Sequence, residues 1–370
     1  MQGSYASKHG ALPAQTIRDM MRAGFIVGGV EENVAPASLD LTVSDEIYRT
    51  DGMFQLHYGE TVRELLGYLK TTPHQTGTPL ERDITYLARL NESVRLPSGV
   101  YGYCNPKSST GRVDVHVRVL ADRVPRYDSL VPGGWQGELW IVIHPKSFPV
   151  LLAPKQALSQ LRLFTSDTRL SELDFQIAQA HHRLLWRRDG ATIEYSDIQV
   201  TDRDGAPILS LEFDGPMVGW VSRRTDDVLD LGRVGARAPE DFFEEVRPEN
   251  GYVRLERGKF YILSTDEAVR VPPEFACEMA PMDERSGDFR SHYAGFIDPG
   301  WGWGAEGEGV GRPLTLEVRP FEDLVVRHGQ PIAKIKFERM THTPDTLYDT
   351  RGSNYTVQRG PRLAKQFRVV

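Results

Sequence analysis

The chain contains the same sentence twice. "TYLARLNESVRLPSGVYGYCNPKSS", from Thr85, reads against "FYILSTDEAVRVPPEFACEMAPMDE", from Phe260. Tyr86, Glu92, Val94, Arg95, Pro97 and Pro106 fall on Tyr261, Glu267, Val269, Arg270, Pro272 and Pro281, at a constant offset of 261 − 86 = 175. Farther on, "LWIVIHPKSFPVLLAPKQALSQLRLF" from Leu139 falls on "LTLEVRPFEDLVVRHGQPIAKIKF" from Leu314. Pro145 meets Pro320 at the same offset, and Gln156 meets Gln330 after a one-residue slip. Both copies also carry a Pro-Gly-Trp signature, "VPGGWQG" and "IDPGWGWG". A repeat this long means that whatever one copy builds, its sibling builds as well.

Within the copies the apolar residues alternate, as in Val113, Val115, Val117 and Val119, or run briefly between Pro and Gly. That pattern predicts short strands in a sandwich or barrel. Helical periodicity shows in two places. "AQTIRDMMRAG" stops at Gly24, and Ser171 with Asp174 forms a capping-box start. The second helix is expected to place Leu173, Ile177, Leu184 and Leu185 on one face and to end at Asp189-Gly190. The acidic run "APEDFFEE" reads as a solvated helix start, and "GWGAEGEGVG" as a surface excursion, with a phosphate-binding glycine loop as the alternative. The expected fold is all-β with a few short helices, in two tandem copies: residues 1–168 and 169–370.

A chain of 370 residues can bury two cores without metal or disulfide staples. Its two cysteines, Cys104 and Cys277, are far apart beside apolar neighbours, the setting of buried reduced thiols in a cytoplasmic protein. No basic-then-apolar leader and no apolar run long enough to span a bilayer are present, so neither export nor a membrane partner is expected. The net charge of −7 argues against a broad nucleic-acid-binding face. Two isolated cysteines cannot supply a Pro-Cys-x-x-Cys metal site, so catalytic zinc is not expected. His181 and His182 are adjacent but lack metal-ligand spacing.

The chemistry-bearing cluster is "NPKSSTGR", from Asn105 to Arg112. It is no P-loop, because the glycine framework ahead of the Lys is missing and alternating valines follow. Lys107, Ser108 and Ser109 nevertheless offer an ammonium and two hydroxyls beside turning backbone, a fit for triphosphate oxygens.

With "APASLDL" at Ala35 to Leu41, "KSSTGR", "AGFIDPGW" followed by "LTLEV", and the tail "SNYTVQRGP" from Ser353, the chain resembles the deoxycytidine triphosphate deaminases. Their fold is the all-β, β-clip barrel shared with trimeric dUTPases. The resemblance implies deamination of dCTP to dUTP, with Glu317 as general base and then acid, Ser108 holding the attacking water and Arg112 stabilising charge. It also implies Lys107, Ser109, Ala294, Asp298 and Trp301 as substrate contacts, and Tyr355 and Gln358 as a tail closing over the phosphates. Mg²⁺ is expected to enter on the triphosphate, with no dedicated protein ligand. Self-association is expected too, since family sites lie between barrels.

The departures are informative. Copy one has Val142 where the catalytic glutamate belongs, and copy two has "MDERSGDFR" in place of the Ser-Ser-x-x-Arg loop. Each copy has kept one half of a site, so Ser108, Ser109 and Arg112 are expected to face Glu317 and "HYAGFIDPGW", giving at most one site per chain. The rivals are dUTP hydrolysis, in which Asp298 would orient water toward the α-phosphate, alone or coupled to deamination, and nucleotide-binding regulation without catalysis.

Overall fold

The computed structural model describes residues 8–198, 204–280, 282, 289–291 (backbone only), 295–351 and 360–369. The chain divides into two compact units. One runs to Asp167 and also takes in Arg224–Ala238 and the chain's end from Ala364; the other comprises Thr168–Arg223 and Pro239–Leu363.

In the first unit a ten-stranded antiparallel sheet runs in the order Val115–Ala121, Gln136–Pro145, Thr85–Arg95, Ser38–Thr50, Ala157–Phe164, Tyr101–Pro106, Ser129–Leu130. Three short strands pair off this path. The borrowed segment joins through Leu229–Asp230, which pairs in parallel with Val150–Leu151. In the second unit one sheet runs Phe243–Val246, Gly219–Ser222, Tyr261–Val269, Arg312–Pro320, Phe289–Ser291, with Leu185–Trp186 added beside Tyr261–Val269. A second sheet runs Ile208–Ser210, Pro331–Arg339, Phe275–Ala280, Phe296–Ile297. The fold is mostly β, as the short alternating runs predicted.

Duplication is legible in the strand register itself. Leu87 lies opposite Val142 and Ile262 opposite Glu317, and 262 − 87 = 317 − 142 = 175. Both pairs break register at the same place, between Arg89 and Ser93 in one copy and between Ser264 and Ala268 in the other. The sequence slip is there as well: Gly102 pairs with Leu163 and Cys277 with Phe337, offsets of 277 − 102 = 175 and 337 − 163 = 174.

The repeated polar anchors prove to be fasteners. The Tyr86 hydroxyl accepts from the Glu81 N–H at 2.9 Å, and Tyr261 does the same for Glu256 at 2.8 Å. Buried Glu92 accepts from both the backbone N–H and the hydroxyl of Thr42, at 2.9 and 2.8 Å. Glu267 repeats this with Ser210, at 2.8 Å each. Burial raises both carboxyl pKa values, and these hydrogen bonds pull against it. Glu92 and Glu267 therefore staple strands, which explains their repetition without a catalytic role.

Both helices form, with one correction. Ala14–Arg22 ends before Gly24 as its pattern predicted. The second, Glu172–His182, starts with the expected capping box at Ser171 and Asp174 but stops seven residues early. Arg183 adopts φ 52°, and the Gln179 side chain takes over: its Oε1 accepts from the Leu184 and Leu185 N–H groups, and its Nε2 donates to the Ile193 carbonyl at 2.7 Å. Leu184 and Leu185 lie beyond the helix, Leu185 opening the strand Leu185–Trp186, while Leu173 and Ile177 are exposed; the buried face is Phe175, Ala178 and Gln179. Asp189-Gly190 forms the following turn, not a helix end. The acidic run also differs, giving one 3₁₀ turn at Pro239–Asp241 and then the strand Phe243–Val246, because Phe242 and Phe243 are buried.

One carboxyl makes a pH prediction. Burial pushes Asp128 up to about 6, against the opposing pull of Arg118 and the Val119 N–H. The native carboxyl thus keeps its proton where the unfolded chain, near 3.8, has lost it. This contribution to stability is full below the unfolded value and lost as pH climbs through about 6. Unfolding free energies from urea titrations at pH 4 to 7 should fall by about 2–3 kcal/mol more in the wild type than in Asp128→Asn. Parallel pH profiles would exclude this assignment.

Candidate active site

Side chains of a strand alternate between faces. Leu314, Leu316 and Val318 point into the second unit's apolar core, with Tyr261 and Leu263 opposite them. Thr315 and Glu317 must therefore point outward, and so must Ile262 across from Glu317. Glu317 is nonetheless buried, 3% exposed. Chain ahead of the C-terminus runs along this outer face: the Trp220 indole donates to the Pro361 carbonyl at 3.2 Å, and the Arg362 N–H reaches the Thr315 hydroxyl at 3.5 Å. Trp220 itself pairs with Ile262.

The same face of the first unit is filled with hydrocarbon. Val142 is wholly buried with Leu56, Val62, Leu65, Leu87, Leu120 and Trp140. Residues 61–67 supply part of this cover as a helix, Val62–Leu66, with a Thr61/Glu64 capping box. Copy one thus has no carboxylate at this register position, and hydrocarbon fills the space around it.

In the first unit the strand Tyr101–Pro106 delivers Lys107 to a single helical turn, Ser108–Gly111, with Arg112 as its C-cap. Sequence reading placed this cluster in a loop and did not foresee the helical turn. Arg112 is 3% exposed, whereas Ser108 and Ser109 are half-buried. The turn is tied at both ends. The Lys107 N–H donates to the Leu158 carbonyl at 3.0 Å, and the Lys107 ammonium bonds Asp40, whose other oxygen accepts from Gln160 at 3.1 Å. Asp114, held at φ 55°, accepts from the Ser147 hydroxyl at 2.5 Å, and its carbonyl accepts from the Lys146 N–H at 3.0 Å. A non-glycine residue in that conformation is costly, and the two contacts from the neighbouring segment hold it there.

The Asp-Pro-Gly-Trp turn belongs to the second unit. Asp298 and Trp301 are both buried, and the Trp301 N–H closes the turn onto the Asp298 carbonyl at 3.1 Å. Gly300, at φ 92°, lies so close to Leu347 that an added Cβ would come within 2.6 Å of its side chain, so this corner requires glycine. Tyr348 packs on Trp301 with ring centroids 5.0 Å apart, and the Arg312 guanidinium, paired with Asp349 at 2.9 Å, lies 5.0 Å from the indole centroid. The glycine-rich excursion folds on itself: the Glu308 carboxylate accepts from the Ala305 and Glu306 N–H groups at 3.0 and 2.8 Å. The backbone donors that a phosphate would need there are already engaged by the chain's own carboxylate.

Residues 8–167 match the family described as the 2′-deoxycytidine 5′-triphosphate deaminase N-terminal domain, and residues 192–367 match its C-terminal domain. Among solved structures, the chain is similar to the 2′-deoxycytidine 5′-triphosphate deaminase from Agrobacterium tumefaciens, with 31% identity and a TM-score of 0.81 over 90% of this chain and 99% of that one. The chain belongs to the dCTP deaminase family. Comparison with curated proteins gave no match.

For a dCTP deaminase, the placement of the expected residues is as follows. Lys107, Ser108, Ser109 and Arg112 are together in the first unit; Asp298, Trp301 and Glu317 are in the second. Ala294, Tyr355 and Gln358 lie outside the described residues. Asp40 was missed: it sits in the quoted strand "APASLDL", but nothing in the spacing paired it with Lys107. Cys104 and Cys277 are buried free thiols in different units. Among the described residues one trio has metal-ligand spacing, Glu212, Asp214 and His328. His328 Nδ1 already accepts from the Phe213 N–H, and Glu212 faces Arg188 at 3.6 Å, so this trio reads as a surface polar network. No helix among the described residues is long and apolar enough to cross a membrane.

Proposed function

We propose that this dCTP deaminase, which hydrolyses the 4-amino group of dCTP to give dUTP and ammonia, works through complementary halves contributed by its two copies. Glu317 takes a proton from water as the oxygen attacks C4 and passes it to the ring nitrogen. It then takes the proton of the new C4 hydroxyl and gives it to the amino group, which leaves as ammonia as the C4–N bond breaks and the carbonyl forms. Ser108 holds the water, and Arg112 stabilises developing charge. Lys107 and Ser109 bind triphosphate oxygens, Asp298 and Trp301 with Ala294 bound the nucleoside, and Tyr355 with Gln358 closes the tail. The observation that carries this reading is the pairing of Glu317 with Val142 in one shared register: a buried outward carboxylate in one copy, a sealed apolar face in the other.

Mg²⁺ accompanies the triphosphate and is held by phosphate oxygens and water. Asp40, the carboxylate touching the Lys107 turn, is committed to Lys107 and Gln160, which suits a metal brought in by the nucleotide. The duplication seam falls near residue 168, and the enzyme acts as a cytoplasmic homo-oligomer in nucleotide metabolism.

Incubation of the pure protein with dCTP should release ammonia and dUTP in equal amounts without pyrophosphate; pyrophosphate would point to the hydrolytic rival. Co-expressed Ser108→Ala and Glu317→Gln chains then separate the assemblies. Mixed oligomers regain activity if the halves meet between chains and stay inactive if they meet within one. Full activity of both single variants would remove the proposed residues altogether.

A further inference from the structure

Strand register sets Arg312 against a glycine. Arg312 lies opposite Val269 in the second unit and Gly137 opposite Val94 in the first, and 312 − 137 = 269 − 94 = 175. In copy one the Trp135 indole lies against this position: a Cβ added to Gly137 would come within 3.0 Å of the ring. The Trp135 indole N–H donates to the Asp122 carbonyl at 3.0 Å. Copy two places a guanidinium there instead, 5.0 Å from the Trp301 ring centroid, and the Trp301 indole N–H reaches the Arg312 carbonyl at 3.4 Å. The copy that carries Glu317 is thus the copy whose tryptophan rests on a cation.

The guanidinium is braced from behind. Its Nη2 donates to Asp349 at 2.9 Å, the other Asp349 oxygen accepts from the Gly304 N–H at 3.0 Å, and the two side chains are only 13% and 9% exposed. Asp349 stands in a short turn in which the Thr350 hydroxyl donates to the Leu347 carbonyl at 3.0 Å. The Tyr348 N–H ties that turn to the Pro299 carbonyl at 2.9 Å, and the Tyr348 ring packs on the indole with centroids 5.0 Å apart. Trp301 backbone is held as well, its carbonyl accepting from the Val271 N–H at 2.8 Å. A cation against an indole in a partly desolvated corner is attractive, and a planar guanidinium orients the ring more tightly than a flexible ammonium. Arg312 Nη1 is buried without a hydrogen-bond partner among the described residues, a cost for which stability alone gives no reason.

We propose that Arg312, braced by Asp349, is a positioning residue for the deamination reaction: it holds the Trp301 ring in the orientation that receives the nucleoside. The inference rests on the reading of Trp301 as a nucleoside contact. It gives this ion pair a part in substrate binding that copy one, with glycine at the matching position, has no residue to play.

The test measures kcat and KM for dCTP in Arg312→Met, Arg312→Lys, Asp349→Asn, Trp301→Leu and the double variant Trp301→Leu/Arg312→Met. Arg312→Met should raise KM about three- to tenfold, with kcat within about twofold of wild type. Arg312→Lys, which keeps a cation for Asp349 without the flat face, should show most of this increase with little change in melting temperature. Asp349→Asn should move KM in the same direction, and a silent Asp349→Asn overturns the brace. In the Trp301→Leu background Arg312→Met should add nothing further, because its effect passes through the ring. Wild-type KM in both Arg312 variants beside a raised KM in Trp301→Leu rejects the inference alone, and so does an Arg312→Met effect that adds in full to Trp301→Leu. A silent Trp301→Leu rejects the nucleoside reading of the turn, and the inference with it. If Arg312→Met fails to fold, Arg312→Lys carries the same comparison in single and double form.

Discussion

Glu317→Gln leaves dCTP bound and reduces its turnover by about 10²–10⁴-fold, the usual contribution of a positioned general acid–base group. The amide fills the same volume on the same outward face, so the packing around Ile262, Thr315 and the Pro361–Arg362 crossing is preserved. What disappears is a group able to accept a proton from water and give one back. Single-turnover measurements with dCTP, paired with a calorimetric dissociation constant, separate chemistry from binding. Near-normal turnover in this variant would overturn the assignment of Glu317, and so would a loss confined to binding.

Val142→Glu, the reciprocal change, restores the letter and not the function. At position 317 the carboxylate is buried on the outer face of its strand, in the same row as Thr315 and opposite Ile262, but at Val142 it would be driven among Leu56, Val62, Leu65, Leu87, Leu120 and Trp140. Arg118, the cross-strand neighbour of Val142, is already paired with Asp128 at 3.1 Å. A carboxyl forced into such a site stays protonated or disrupts the cluster, and the expected cost is about 3 kcal/mol or more. Chemical denaturation should register that loss, and the ammonia produced per chain should not rise. A stable variant with additional activity would mean that copy one retains an open site.

Duplication, the all-β class and the two helix starts were readable because they depend on local rules: an offset that both copies share, a period of two, a capping box. The glutamate proposed as general base stood out for the same reason, since the matching position in the other copy is Val142. What escaped the sequence depends on long-range packing. Gln179 ends its helix through hydrogen bonds to Leu184, Leu185 and Ile193, so the expected Leu173/Ile177 face went to solvent and Phe175 went inside. The apolar lid over Val142 comes from residues about eighty positions earlier in the chain, with no period to announce it. Asp40 meets Lys107 only after the strands have paired, and no spacing rule links two such distant positions. Glu92 and Glu267 were readable only as anchors of the repeat; that they fasten strands through Thr42 and Ser210 needed the structure.

The borrowed pieces of the first unit, Arg224–Ala238 and the stretch from Ala364, set a timetable for biosynthesis. Nascent domains generally fold as they emerge, the N-terminal one first. Here the leading unit stays incomplete until the stretch around Ala364–Phe367 has emerged, because Ala364 and Phe367 supply part of its buried surface. No single cut in the gene would yield two self-sufficient halves. With those segments packed into the leading unit, the two copies are no longer separable as continuous stretches of chain.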